Sequence, residues 1–61
     1  MRERDYIAFC DNGHEYFHFY FESVHRAGSE ENKRDCMRQM RRERGLSFSR
    51  DVEILEVFLN D

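Results

Sequence analysis

The chain has 61 residues and a formal net charge of −3 at pH 7, which indicates a single small domain and excludes the strongly basic composition of a general nucleic-acid binder. Its longest apolar runs fall well short of the roughly 20 residues that span a bilayer, and its charged N-terminal residues do not form a signal peptide. We therefore expect a cytoplasmic protein with no membrane partner. An aromatic content of 15% separates the chain from disordered sequences of similar polarity.

The N-terminal half predicts a β-hairpin. Residues 5–10 and 15–23 are rich in aromatic side chains, which is typical of strands. Asp11-Asn12-Gly13 lies between them and is a strong turn signal. The turn decides which face of each strand is buried, because a one-residue slip in pairing moves every side chain of a strand to the other face.

Two turns fit this hairpin. A two-residue turn at Asn12-Gly13 pairs Ala8 with Phe17 and mixes apolar and polar side chains on both faces. A three-residue loop over residues 11–13, with Gly13 left-handed in a bulge, pairs Ile7 with Phe17 and separates the two kinds of side chain, so we predict this loop. Its inward face carries Ile7, Phe9, Phe17, Phe19 and Phe21. Its outward face carries Tyr6, Ala8, Cys10, His14, Tyr16, His18 and Tyr20.

A helix follows the hairpin. Ser29 is a good N-cap, and the helix is predicted to run to about Arg44, with Gly45 ending it. Acidic residues in its first turn and arginines in its last turn complement the helix dipole. The apolar face is thin and consists of Cys36, Met37 and Met40.

The C-terminal part predicts a loop over residues 46–50 and a third strand over residues 51–60. The β-branched residues of the last segment favour a strand, and its broken alternation indicates a bulge or burial of both faces. A short helix capped by Ser49 is the competing interpretation of this segment.

The element order β-β-α-β predicts an α+β fold that occupies residues 1–61 as one domain. A right-handed crossover places strand 3 beside strand 1 and antiparallel to it, which gives the sheet order 2-1-3 with the helix on the phenylalanine face. Strand 2 is then a long aromatic edge, and such edges pair with other chains. We therefore expect a homodimer, joined at strand 2 or through the outward tyrosine and histidine face.

The charges are unevenly distributed. Residues 33–44 contain six basic and two acidic residues, a net charge of +4, whereas the rest of the chain contains four basic and eleven acidic residues, a net charge of −7. On the helix, four arginines fall within one outward arc of about 100°. This arginine stripe fits an acidic protein surface or nucleic-acid phosphates, and it is equally compatible with a plain solvated helix face. Its members are Arg34, Arg38, Arg41 and Arg42.

The outward face of the sheet is the second candidate surface, with Tyr6, Tyr16, His18 and Tyr20 as its predicted contact residues. Exposed aromatic side chains on a small sheet stack nucleic-acid bases in some RNA-binding domains. Here the aromatic residues lack interleaved Lys or Arg and have acidic neighbours, which disfavours nucleic acid. A protein interface, where Tyr is enriched, fits this face better.

Metal binding and catalysis find little support. Cys10 and His14 face each other across the predicted turn and supply two zinc ligands at most, where zinc needs about four. Cys36 is predicted on the opposite side of the sheet from Cys10, which excludes a disulfide between them. The chain contains no Gly-rich phosphate loop and no nucleophile elbow. We expect no enzyme, no metal, no cofactor and no small-molecule substrate.

The chain resembles the very short accessory proteins of bacteriophages and mobile elements. The resemblance rests on the β-β-α-β order and on generic markers, namely Ser29-Glu30-Glu31, Gly45 and the segment Val52-Glu53-Ile54-Leu55. It implies a protein that binds and modulates, for example inhibits, a host or defence component. The leading hypothesis is a non-enzymatic module that binds a partner protein, such as a nucleic-acid-handling enzyme. The alternatives are a nucleic-acid-binding module that uses the arginine stripe and, more remotely, a metal site around Cys10 and His14.

Overall fold

The computed structural model describes residues 2–61. Its elements are β1 (Arg4–Asp11), β2 (Tyr16–Ser23), α1 (Glu30–Arg44), α2 (Leu46–Ser49) and β3 (Glu53–Leu59). The strands form one antiparallel sheet in the order β2-β1-β3, which confirms the predicted sheet order and strand directions. With one main helix and one short helix, the molecule is a small α+β domain.

The hairpin turn differs from both predicted turns. The Asn12 N–H donates to the Glu15 carbonyl (3.3 Å), so Gly13 and His14 form the tip. The Asp11 carboxylate accepts from the Gly13 N–H, and the Asn12 side-chain oxygen accepts from the N–H groups of His14 and Glu15, each at 2.9 Å. These side-chain bonds hold the turn farther along the chain than predicted. The left-handed conformation of Gly13 is confirmed (φ +89°).

The new register reverses the predicted orientation of β1. Ala8 pairs with Phe19, and the predicted pairing of Ile7 with Phe17 is wrong. The inward assignment is confirmed for β2, where Phe19 and Phe21 are buried and Phe17 packs beside them. On β1 it is wrong: Ile7 and Phe9 point outward. The residues of β1 that point into the core are Tyr6, Ala8 and Cys10.

Packing explains the orientation of β1. The Tyr6 ring stacks on Phe21, with the ring centroids 5.6 Å apart. Ala8 and Cys10 are small and almost fully buried (0% and 1% exposed). Small side chains at these positions leave room in the core for the larger side chains of β2 and for Met40 of α1.

The ends of α1 confirm the sequence prediction. The Ser29 side chain accepts from the Asn32 N–H, and Gly45 ends the helix at φ +91°. A buried polar residue was not predicted: Asn32 is fully buried. Its side chain donates to the His25 carbonyl and accepts from the Gly28 N–H, both at 3.1 Å. These bonds satisfy the amide and fix the connection between β2 and α1.

The C-terminal segment is a strand, so the competing helix over residues 51–60 is wrong. Its pairing with β1 shifts register at Leu55, which is a β-bulge. The predicted loop before it is also wrong in part, because Leu46–Ser49 forms a short helix. In this helix Phe48 contacts the Phe17 ring edge to face, with centroids 5.4 Å apart, and the Arg44 guanidinium lies 5.2 Å from the Phe48 centroid.

A hydrogen bond from Ser23 to Asp35 anchors α1 to the end of β2, and an ion pair within α1 holds the same carboxylate. The Ser23 hydroxyl donates to one Asp35 oxygen (2.7 Å), and Arg38 donates to the other (2.8 Å). Partial burial opposes ionisation of Asp35, but the bonds from Ser23 and Arg38 outweigh it and hold the pKa of this carboxyl below its ordinary value.

We expect Asp35 to make the fold sensitive to acid. Because folding lowers the pKa of Asp35, its contribution to the free energy of unfolding is complete above the ordinary carboxyl pKa. This contribution is lost as the pH falls through the lowered pKa of the folded state. In urea unfolding at neutral pH, Asp35→Asn should lower the free energy of unfolding by about 1–2 kcal/mol. Over acidic pH the variant should lose less stability than the wild type. Identical slopes of stability against pH in the two proteins would contradict this assignment.

Candidate interaction surfaces

The structure divides the predicted sheet-face residues. Tyr16, His18 and Tyr20 lie on the exposed side, and Tyr16 and Tyr20 are 78% and 55% exposed. Tyr6 does not join them: it is 5% exposed in the core, so its assignment to this interface is wrong. The reason is the register of β1, which directs even-numbered residues to the core.

Large apolar residues that the sequence analysis did not assign to this surface lie here instead. Phe9 is 41% exposed, and Phe58 and Leu55 are also exposed although they belong to the sheet. The hydrophobic pattern could not identify them, because both faces of β1 are apolar and the alternation of β3 is broken. We define the open face by its apolar and aromatic residues: Ile7, Phe9, Tyr16, His18, Tyr20, Leu55 and Phe58.

A row of rings crosses the open face from β3 to β2. The Phe58 and Phe9 rings meet edge to face with centroids 5.9 Å apart. Phe9 lies 6.4 Å from His18, and His18 contacts Tyr20 edge to face at 5.2 Å. Rings in mutual contact lose little additional freedom when another molecule covers them. A shallow depression of about 410 Å³ beside this row is lined in part by Leu55 and Tyr16.

Carboxylates lie on both sides of the row, at the two ends of the strands. Asp5 is directly opposite Glu22 at one end of the sheet, and Asp11 is directly opposite Glu53 at the other. Glu56 is opposite Phe9. No Lys or Arg on the described strands points to this side. We call these carboxylates the acidic rim: Asp5, Asp11, Glu22, Glu53 and Glu56. The core and the packing of α1 lie on the opposite side of the sheet.

The arginine stripe is exposed as predicted but is partly neutralised. All four of its side chains are exposed on α1. Arg38 forms the ion pair with Asp35. Arg38 and Arg42 also line a depression of about 250 Å³ together with three carboxylate side chains. Those carboxylates belong to Glu3, Glu22 and Glu43. Within residues 2–61, Arg34 and Arg41 form no ion pair with an acidic side chain.

The two cysteines lie together, contrary to the prediction. Cys10 and Cys36 both belong to the buried core cluster, so the argument that opposite sheet faces separate them is wrong. Both are free thiols. Burial raises the pKa of Cys10 to about 11. Burial and the neighbouring Cys10 raise the pKa of Cys36 to about 12. Both groups are therefore neutral hydrophobic side chains at physiological pH.

The predicted approach of Cys10 to His14 is also wrong, because Cys10 pairs with Phe17 and points inward. Over residues 2–61, the His, Cys, Asp and Glu side chains form no group of three or more that is placed to hold a metal ion. In the same part of the chain, the helices lack the length and apolar character needed to cross a membrane.

The chain matches no protein-family model, no curated protein and no solved structure.

Proposed function

We propose that this protein is a non-enzymatic interaction module that binds and modulates a partner protein through its open face. The observation that carries the proposal is the exposed row of aromatic rings from Phe58 to Tyr20 on the uncovered side of the sheet. Contiguous exposed apolar surface rimmed by polar residues is typical of protein interaction sites. Aromatic residues are also the ones that contribute most to binding at such sites.

The acidic rim indicates the chemistry of the partner. Two copies of the open face would bring two sets of five carboxylates together, which disfavours self-association through this surface. Nucleic acid is disfavoured for the same reason, since its phosphates would meet the same carboxylates. A partner with an apolar patch bordered by Lys or Arg complements both parts of the surface.

Surfaces of that composition occur on enzymes that handle nucleic acids, whose binding clefts are basic. An acidic and aromatic face seated on such a cleft would compete with the nucleic acid and so inhibit the enzyme. The modulating role that we propose for this protein is therefore a competitive one.

Site-specific photocrosslinking tests the surface. A photoreactive phenylalanine analogue replaces Phe9 or Phe58 on the open face, and Leu46 in the control, because Leu46 is 62% exposed on α2. The proposal expects one partner protein to crosslink from Phe9 and from Phe58 but not from Leu46. Salt should weaken its capture, because the acidic rim contributes to binding. Crosslinking confined to Leu46 or to α1 would reject the open face as the binding site.

The acidic rim predicts opposite effects on stability and on binding. Asp5 and Glu22 are like charges placed directly opposite each other, an arrangement that destabilises a sheet. Asp5→Asn should raise the free energy of unfolding by about 0.5 kcal/mol, because it removes the repulsion and leaves Glu22 beside Arg38 and Arg42. The same variant should weaken binding to the crosslinked partner. If the variant binds as tightly as the wild type, the acidic rim is not part of the interface.

The second candidate function is nucleic-acid binding by the arginine stripe. Its specific support is the exposure of Arg34, Arg38, Arg41 and Arg42 on one side of α1. An electrophoretic shift assay with mixed DNA and RNA at low and moderate salt tests it. Binding that is strong at low salt, falls with salt and disappears in Arg38→Glu/Arg42→Glu would establish this function. The open-face proposal expects no shift in wild type or variant.

A further inference from the structure

The outer edge of β2 ends in an unusual contact. The Gln39 side chain accepts from the Glu22 N–H (3.1 Å) and donates to the Glu22 carbonyl (2.6 Å), and so takes the place of a neighbouring strand. The backbone groups of Glu22 therefore point away from β1. Because this direction alternates along a strand, the N–H and C=O groups of Tyr16, His18 and Tyr20 point the same way.

These three residues form a free pairing edge. Within residues 2–61, their outer backbone groups take part in none of the turn, loop or side-chain hydrogen bonds. A depression of about 270 Å³ lies beside this edge, between β2 and the C-terminal end of α1. Its lining residues are His18, Phe19, Tyr20, Glu43 and Arg44. The opposite edge of the sheet differs, because β3 is bulged at Leu55 and a bulge hinders regular pairing.

We propose that two copies of this chain pair through β2, antiparallel and about a two-fold axis at His18. His18 then pairs with His18 of the second copy, and Tyr16 with Tyr20 of the second copy. In this register every pair exchanges both of its backbone hydrogen bonds, and all the free groups of the edge are satisfied. The product is one continuous sheet made from the strands of both copies.

A second copy fits this edge because the edge is complementary to itself. The free residues are placed symmetrically about His18, and their uncharged Tyr side chains bring no like charges into opposition. Gln39 stops the pairing before Glu22, which keeps this carboxylate out of the interface. Glu43 and Arg44 lie beside the edge in each copy, and their opposite charges cancel, so pairing brings no net charge together there.

The pairing goes beyond the proposed function and does not depend on it. The two-fold axis is perpendicular to the sheet, so both helices lie on one side and both open faces on the other. The aromatic rows of the two copies then adjoin on one surface, which doubles the area that a partner can cover. The carboxylates of each acidic rim stay at the ends of the strands and on β3, away from the two-fold axis.

Removal of one backbone donor tests the pairing. His18→Pro deletes an N–H that points away from β1, so the ladder inside the copy remains. His18→Thr is the matched control, since it removes the imidazole and keeps the N–H. In sedimentation from low to high micromolar concentration, wild type and His18→Thr should dimerise. The dissociation constant of His18→Pro should rise at least about tenfold, because each dimer loses two hydrogen bonds.

Charge placement tests the register. In Tyr16→Lys/Tyr20→Lys, lysines from the two copies oppose each other, and the dimer should dissociate. In Tyr16→Lys/Tyr20→Glu, every lysine opposes a glutamate of the second copy, and the dimer should persist. A monomeric wild type at high micromolar concentration would overturn the proposal. So would a dimer that both double variants form equally well, because its interface would lie elsewhere.

Hydrogen exchange provides a measurement that needs no variant. The amides of Tyr16, His18 and Tyr20 should gain protection as the concentration of wild-type protein rises. The Glu22 amide should be protected at all concentrations, because Gln39 accepts its proton within one copy. Protection at these three positions that does not change with concentration would overturn the pairing even if His18→Pro fails to fold. None of these results bears on crosslinking from Phe9 and Phe58, so the two proposals can fail separately.

Discussion

Tyr6→Ala is expected to unfold the domain, whereas Phe9→Ala should leave it folded. Tyr6 is 5% exposed and stacks on Phe21, so its truncation leaves a cavity in the core. Truncation of a buried aromatic residue costs about 3–5 kcal/mol, which is as much as a domain of this size has in total. Phe9 is 41% exposed, and its truncation should cost about 1 kcal/mol.

Urea unfolding followed by circular dichroism measures both variants, and Tyr6→Phe is the control that keeps the ring. Tyr6→Phe should stay within about 1 kcal/mol of the wild type, because the ring supplies the stacking with Phe21. The opposite ranking, with Phe9→Ala unfolded and Tyr6→Ala stable, would show that β1 has the register first predicted from the sequence. The open face would then lose Phe9 and Ile7.

The second large effect concerns the thiols, which should resist modification in the folded protein. The pKa of Cys10 is raised from 9.0 to about 11 and that of Cys36 from 9.0 to about 12. Since the thiolate is the reactive form, the raised pKa values slow the reaction of both thiols, and more so for Cys36 than for Cys10. Burial of both side chains adds to this protection.

Labelling with a chromogenic disulfide reagent at neutral pH measures the effect. Cys10→Ala and Cys36→Ala each leave one thiol, so the two rates can be assigned. Each thiol should react slowly in buffer and at the rate of an ordinary cysteine in urea. Native-state labelling as fast as labelling in urea would show that these side chains are not buried together.

The same thiols predict a loss of stability at alkaline pH. When folding raises the pKa of a thiol, the thiol's contribution to the free energy of unfolding is complete below the unfolded pKa of 9.0. This contribution is lost as the pH rises through the pKa of the folded state. For Cys36 this window runs from 9.0 to about 12. Cys36→Ala should therefore show a smaller loss of stability between neutral and alkaline pH than the wild type.

Comparison of β1 with β2 shows where sequence information is sufficient. Along β2, phenylalanine alternates with tyrosine and histidine, so the burial of Phe19 and Phe21 follows from the pattern alone. Along β1, Tyr6, Ala8 and Cys10 alternate with Ile7 and Phe9, and both sets are apolar. Hydrophobicity therefore could not choose between the two faces of β1.

The arginine stripe illustrates a second limit. The helical wheel predicted that its four residues share one exposed side, and they do. The wheel contained no information on their neighbours from other elements. Asp35 pairs with Arg38 from the same helix, but Glu3 and Glu22 approach Arg38 and Arg42 from elsewhere in the chain. The partial neutralisation of the stripe is thus a tertiary property.

The sequence by itself determined the three strands, α1 and its caps, the order of the sheet and the faces of β2, because each depends on local preferences or on an unambiguous alternation. Only the tertiary structure decided which side chains of β1 point inward, because both faces of this strand are apolar. Packing selects Tyr6, which stacks on Phe21, together with the small residues Ala8 and Cys10. The bonds from the Asp11 and Asn12 side chains hold the turn at Gly13 and His14, which is compatible with this orientation. This orientation places Tyr6 in the core and Phe9 at the surface. It also brings the two thiols to the same side of the sheet, since a strand in the other phase carries every side chain to the opposite face.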